Sequence, residues 1–213
     1  MTTTLSQSPR PTHPARLLAG AILAILGGLA IGAVTNVLQG LLPGPFQAFS
    51  NSGSVWVVGA FAAGAVIGVP GWRASFAGIA TQVGAVVGYY GYAEYVRDGM
   101  GDLTWPTFWL VLGLIAGPIF GTAGAWWRTG TAWRRLAGPA VLGAVFGMDA
   151  LHYLFALHYY SDAISYGVIG VALPLLLGRT ARERLIGAGC AVALAFLALG
   201  ILLGFLSAMN SFI

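Results

Sequence analysis

Seven apolar stretches alternate with short loops, and nine of the ten arginines fall in the N-terminal tail or in every second loop, which constrains this chain more than any motif it carries. The stretches are Leu17 to Leu38, Val55 to Val69, Ala74 to Tyr92, Trp105 to Trp127, Leu136 to Leu157, Ile164 to Leu177 and Leu185 to Leu206. A hydrocarbon core about 30 Å thick takes roughly 20 apolar residues of helix to cross, and a helix satisfies its own backbone groups there. Only 8% of the residues are charged, against about 25% in soluble domains. The expected fold is therefore an all-α polytopic membrane protein, one transmembrane bundle over residues 16–213. It has seven helices, or six if the last two segments form a single broken hairpin. Residues 1–15, rich in Thr, Ser and Pro, read as a flexible cytoplasmic tail.

Arginine near the end of a span resists translocation, so the arginine-bearing loops belong on the cytoplasmic side. With the N-terminus cytoplasmic, Arg10, Arg16, Arg73, Arg128, Arg134, Arg135, Arg179, Arg182 and Arg184 lie inside, and only Arg97 lies outside. The expected location is a bacterial plasma membrane. The net charge of +4 is spread over loops and forms no stripe, which excludes a nucleic-acid partner. The single Cys190 excludes an internal disulfide.

The functional lead is Gly147 to Asp162, a stretch that places Asp149 and His152 inside an apolar run. A charged group at that depth costs about 3 kcal/mol on insertion scales, so it faces the bundle interior and has a partner. Helical spacing puts Asp149, His152 and Tyr153 on one face. With the topology above, Asn36, Gln39, Asn51, Ser52, Glu94, Asp149, His152, His158, Asp162 and all eight tyrosines fall in the outer half, whereas the tryptophans mark both ends. One-sided polar and phenolic residues are the composition of a pocket with an apolar body and a few orienting groups. The candidate ligand-binding residues are Asp149, His152, Tyr153, Gln82, Tyr89, Tyr90, Asn36, Asn51 and Trp56. The competing reading pairs Asp149 structurally with His152 or with an amide such as Gln82, and gives Asn51 to Ser54 a helix-capping role. Gly40 to Ser54 is either a plain loop or a segment that dips back towards the bilayer.

Small residues recur at every fourth position in three spans: Gly20, Ala24, Gly28 and Gly32; Ala80, Gly84 and Gly88; Gly113, Gly117, Gly121 and Ala125. Such stripes allow helices to approach closely. The first serves either packing within the chain or association with a second copy or another membrane subunit. No zinc-protease helix, paired-cysteine motif, phosphate loop or nucleophile elbow is present, so no catalytic residue, metal or cofactor is expected. Ser50-Asn51-Ser52-Gly53 resembles part of the serine motif of rhomboid-type intramembrane proteases, with Ser where that motif has Gly, which leaves intramembrane hydrolysis as a remote alternative.

Two runs, Leu38-Gln-Gly-Leu-Leu-Pro followed by Ala48-Phe-Ser-Asn-Ser-Gly-Ser-Val-Trp-Val-Val-Gly-Ala-Phe, and Gly117-Pro-Ile-Phe-Gly-Thr-Ala-Gly-Ala-Trp-Trp-Arg, resemble an uncharacterised family of actinobacterial multi-pass membrane proteins. In order and loop length the first six segments also resemble the substrate-capture subunits of energy-coupling-factor vitamin transporters. That resemblance implies a small molecule bound in the outer half, and docking of the first helix to a membrane coupling subunit. The seventh helix is not part of that pattern. The expected function is small-molecule binding for uptake, of a vitamin or vitamin-precursor type by resemblance, with a ligand-free structural or assembly protein as the other reading.

Overall fold

A computed structural model of the chain describes residues 14–210, all helix and connecting loop. Seven α-helices follow in order: α1 (Pro14–Gln39), α2 (Gly53–Ile67), α3 (Trp72–Val96), α4 (Thr104–Thr129), α5 (Ala132–His152), α6 (Tyr160–Leu177) and α7 (Ala181–Asn210). A 3-10 segment, Gly44–Asn51, joins α1 to α2, and a π-helical turn, Tyr153–Leu157, ends α5. The tail expected over residues 1–15 lies outside the described residues up to position 13, and Pro14 already opens α1.

Among the described residues five helices are long and apolar enough to cross a membrane: α1, α4, α5 with its π turn, α6 and α7. The chain is thus a multi-helix membrane protein whose outward side chains, such as Leu23, Val66, Ile164 and Leu197, suit contact with lipid. The other two helices are the interior ones. With 15 residues, α2 spans about 22 Å at 1.5 Å per residue, less than the bilayer core. α3 has 25 residues but carries Gln82 and four tyrosines.

The bundle is two groups of helices that meet chiefly where α4 packs on α5, Gly138 of α5 lying against the Ala123 carbonyl and Trp127 of α4. In the first group α3 lies between α1 and α4; in the second α5 packs on α6 and α7; and α2 packs against α3, α4 and α5. Glycine makes the close approaches. A Cβ on Gly28 or Gly32 of α1 would run into the backbone of Thr81 or Ala85 on α3, and one on Gly84 or Gly88 into that of Ile25 or Leu29 on α1. The opposite side of α3 uses Gly78 against Gly117 and Ala74 against Gly121, while Gly64 of α2 meets Gly121 and Gly124 meets Phe61. Ala24 packs in the same seam with Ala77 and Ala80, and Gly20 meets Ile67. The Gly20, Ala24, Gly28, Gly32 stripe is therefore used inside the chain and is not an open face for a second subunit.

The aliphatic and aromatic core surrounds α2: Val57, Ala60 and Phe61 close against Phe120, Ala123 and Leu142. The loops sort by charge. At one end Arg135 pairs with Glu183 at 2.9 Å, Arg179 donates to the carbonyls of Trp127 and Arg128, and Thr129 donates to that of Gly68. The opposite end holds the 3-10 segment, Arg97 and the turn at His158, a non-glycine residue at φ 58° that closes the π turn. There Asp102 accepts the Thr104 backbone N–H at 2.8 Å, which holds its carboxyl below the ordinary carboxylate range.

Candidate functional site

The arginine-poor end contains two polar centres, and most of the residues expected to form one pocket divide between them. Pro43 and the Pro-bearing stretch after it stop α1 from continuing, and the chain winds instead as the 3-10 segment, packed against α1 and α6. Ser50 is fully buried and donates to the Gln47 carbonyl; Phe49 stacks on Tyr166 with ring centres 4.4 Å apart and planes 3° apart. Within the stretch expected as a plain loop or a segment dipping back towards the bilayer, Gly44–Asn51 is 3-10 helix and stands between the two centres.

The first centre is an open cavity of about 610 Å³ lined by Asn36, Gln39, Gln47, Asn51, Tyr89, Tyr90, Arg97, Asp98, Met100, Trp105 and Trp109. Four expected residues, Asn36, Asn51, Tyr89 and Tyr90, are in its wall. Asn36 is buried and uses both ends of its amide: Nδ2 donates to the Tyr89 carbonyl at 3.0 Å, and Oδ1 accepts from Arg97 Nη1 at 3.1 Å. Gln39 Oε1 accepts from the Tyr89 hydroxyl at 2.9 Å and from Arg97 Nη1 at 3.4 Å. Arg97 Nη1 also donates to the Asn36 carbonyl at 3.4 Å. One guanidinium nitrogen is thus held by three neutral oxygens, while Nη2 and Nε donate no hydrogen bond to the described residues, and no carboxylate among them pairs with this charge.

Trp56, expected in the pocket, stands behind its wall. It is 2% exposed, donates Nε1 to Thr35 Oγ1 at 3.2 Å, and packs tilted against Tyr89 and Trp109 at 5.4 and 5.5 Å. It thus packs against two rings that face the cavity. Gln82 is elsewhere: it is buried on α3 beneath Gly113 of α4, and its Nε2 has no partner among the described residues. It pairs neither with Asp149 nor with the cavity.

The second centre joins α2 to α5. Asp149 Oδ2 accepts hydrogen bonds from Ser54 Oγ and, at 3.5 Å, from Ser52 Oγ; the Ser54 hydroxyl also lies 3.4 Å from the Val145 carbonyl. The serines expected to cap α2 make no side-chain cap; they bind the acid instead. His152 lies one turn on, beside Asp149 but not bonded to it, with Nδ1 buried and unpartnered among the described residues. Tyr153 packs tilted on Tyr166 at 5.1 Å, and Tyr166, fully buried, brings its hydroxyl near Ser52 and Tyr153 without a well-formed hydrogen bond to either. The hydroxyls of Ser52 and Ser54 are directed to Asp149, and neither bonds a histidine among the described residues.

Sequence reasoning placed Arg97 only as an outlier of topology, named Gln39 among the outer-half polar residues but not as a candidate ligand contact, and left out Gln47 and Trp109. The signal for Arg97 was available: it is the one arginine at the end that arginines otherwise avoid. No curated protein and no solved structure matches the chain. A family model matches residues 11–208, and the chain belongs to that family of unknown function, DUF6518.

Proposed function

We propose that this protein captures a small molecule in the cavity at its arginine-poor end, as a bacterial plasma-membrane subunit for uptake with its N-terminus in the cytoplasm. The observation that carries the reading is Arg97. A guanidinium fixed through one nitrogen by Asn36 and Gln39, with its other donors unused, is a preorganised anchor beside the apolar walls of Tyr90, Trp105 and Trp109. The position of this arginine, against the positive-inside trend, supports it further. The similarity in segment order to vitamin-capture subunits supports a vitamin or precursor as cargo, and architecture alone carries no more than that. Because the α1 stripe is occupied by α3, any coupling subunit docks on another face.

A second reading, an assembly protein without a ligand, is favoured by the pairing of Asp149 with two serines, which removes the acid from the cavity. A thermal-stability screen of metabolites separates the two. A ligand that binds only the folded state stabilises it by RT ln(1 + [L]/Kd), about 2.7 kcal/mol at a hundredfold excess over Kd. Capture predicts a metabolite that raises the melting temperature of the wild type and not of Arg97→Gln. Equal shifts in both proteins, or none with any metabolite, favour the assembly reading.

A further inference from the structure

The outer cavity leaves the Asp149 centre without a role. Asp149 sits near the end of α5 with no arginine in reach, and Arg135–Glu183 is the one ion pair among the described residues. Both serines donate to the same oxygen, Oδ2, and no described residue bonds Oδ1. The titratable groups that face it are His152 and Tyr153 on α5 itself, and Tyr166 with the neighbouring Asp162 on α6. From α2 come only the serine hydroxyls, and the 3-10 segment has no titratable side chain. α7 meets this part of α5 through Ala195 and Phe196, and the charged side chains of α4 and α7 lie at the other end of the bundle.

A carboxylate in an apolar bundle needs a cation or a proton. Here the oxygen donors are few and the one basic neighbour is His152, whose Nδ1 has no partner among the described residues and which stands in the chain between Asp149 and the turn at His158. The break in helical pattern just beyond it, the π turn Tyr153–Leu157, is of a kind often found at functional positions.

The second observation is covalent continuity. Gln47 and Asn51 line the outer cavity, while Ser52 and Ser54, one and three residues further on, hold Asp149. Phe49 on Tyr166 and Ser50 on the Gln47 carbonyl make the intervening stretch one packed unit. Hydrogen bonds to an ionised carboxylate are about twice as strong as those to a neutral one, so protonation loosens the grip on this segment.

We infer that Asp149 is a proton-binding site, taking one proton from the aqueous phase at the arginine-poor end by way of His152, and that its protonation is linked to the shape of the outer cavity through residues 47–54. The proton adds to the carboxylate to give the carboxylic acid, and its release restores the ion; no other bond changes. Linkage is reciprocal, so a ligand that holds Asn51 in one position favours one protonation state of Asp149. The linkage rests on the cavity being the binding site; the proton site does not.

Infrared difference spectra of the protein in nanodiscs, taken across roughly pH 5 to 8, read the proton directly. The expected result is a protonated-carboxyl C=O band that titrates in wild type and in Asp162→Asn and is lost in Asp149→Asn, whose amide oxygen still accepts from Ser52 and Ser54. Tryptophan emission over the same range, taken as the difference between wild type and Trp109→Phe, should lose its pH dependence in Asp149→Asn. No ligand is needed, so a failed metabolite screen leaves this readout intact. A band that survives Asp149→Asn, a band lost in Asp162→Asn, or none in wild type overturns the proton site; a Trp109 signal unaltered by Asp149→Asn overturns the linkage. Should Asp149→Asn not fold, Ser54→Ala must shift the midpoint of the band, and an unchanged midpoint overturns the proposal.

Discussion

Ser54 on α2 donates its hydroxyl hydrogen bond to the carboxylate of Asp149 on α5, 95 residues later in the chain, and so ties the short central helix to the second group of helices. Removing the donor leaves a charged acceptor short of one partner in a water-poor interior. Ser54→Ala should lower stability by about 1–3 kcal/mol. Ser54→Thr, which keeps the hydroxyl, should lose less. Thermal unfolding in detergent checks both, and equal melting of Ser54→Ala and wild type would remove this bond from the account.

The glycine seams predict position-dependent costs. Gly32 and Gly64 face the backbone carbonyls of Ala85 and Gly121, which cannot move without shifting a helix, whereas Gly27 has open space where a Cβ would stand. Gly32→Ala and Gly64→Ala should each cost about 1–3 kcal/mol, the range for overpacking. Gly27→Ala should stay within about 0.5 kcal/mol of wild type. Similar losses at all three positions would contradict the packing described.

Trp56 tests whether the wall behind the cavity is set by a single polar contact. Trp56→Phe keeps an aromatic ring but leaves Thr35 Oγ1 without its indole donor. A net hydrogen bond contributes about 1 kcal/mol, and the smaller ring adds a packing loss of similar size. The melting temperature should fall, and emission from the remaining tryptophans should shift as Trp109 loses its neighbour. An unaltered spectrum would show that Trp109 is positioned by other contacts.

Much of this arrangement was legible in the sequence, for physical reasons that also mark where legibility ends. The α-helices of the described residues follow the seven apolar runs, though only five are long and apolar enough to cross a membrane, and their ends fall within a few residues of the expected ones because Pro, Gly and charged residues stop helices locally. Asp149 stood out because a charge in an apolar run is costly wherever it occurs. Its partners did not, since Ser52 and Ser54 lie in a stretch whose local pattern is that of a helix cap and whose contact with α5 is made only in the folded bundle. The single pocket expected from depth alone became two centres because residues at one depth are separated around the bundle by α2 and the 3-10 segment. Gln82 shows the same limit: its depth was readable, but its direction, towards Gly113, was set by the crossing of α3 and α4.

The orientation is tested by cysteine accessibility on a Cys190→Ala background. A cysteine at Gly130, in the turn between α4 and α5, should react only with reagent admitted to the cytoplasmic side; one at Gly99, in the turn after α3, should react with impermeant reagent from outside. The reverse pattern would invert the topology and place the cavity on the cytoplasmic face.

Native mass spectrometry of the protein released gently from its own membrane tests the capture of a small molecule most directly. Wild type should carry a bound mass small enough for a cavity of about 610 Å³. Arg97→Gln should lose it because the anchoring charge is gone, and Arg128→Gln, altered at the opposite end, should keep it. A wild type without any adduct, or an adduct that Arg97→Gln retains at the same occupancy as Arg128→Gln, would contradict the account.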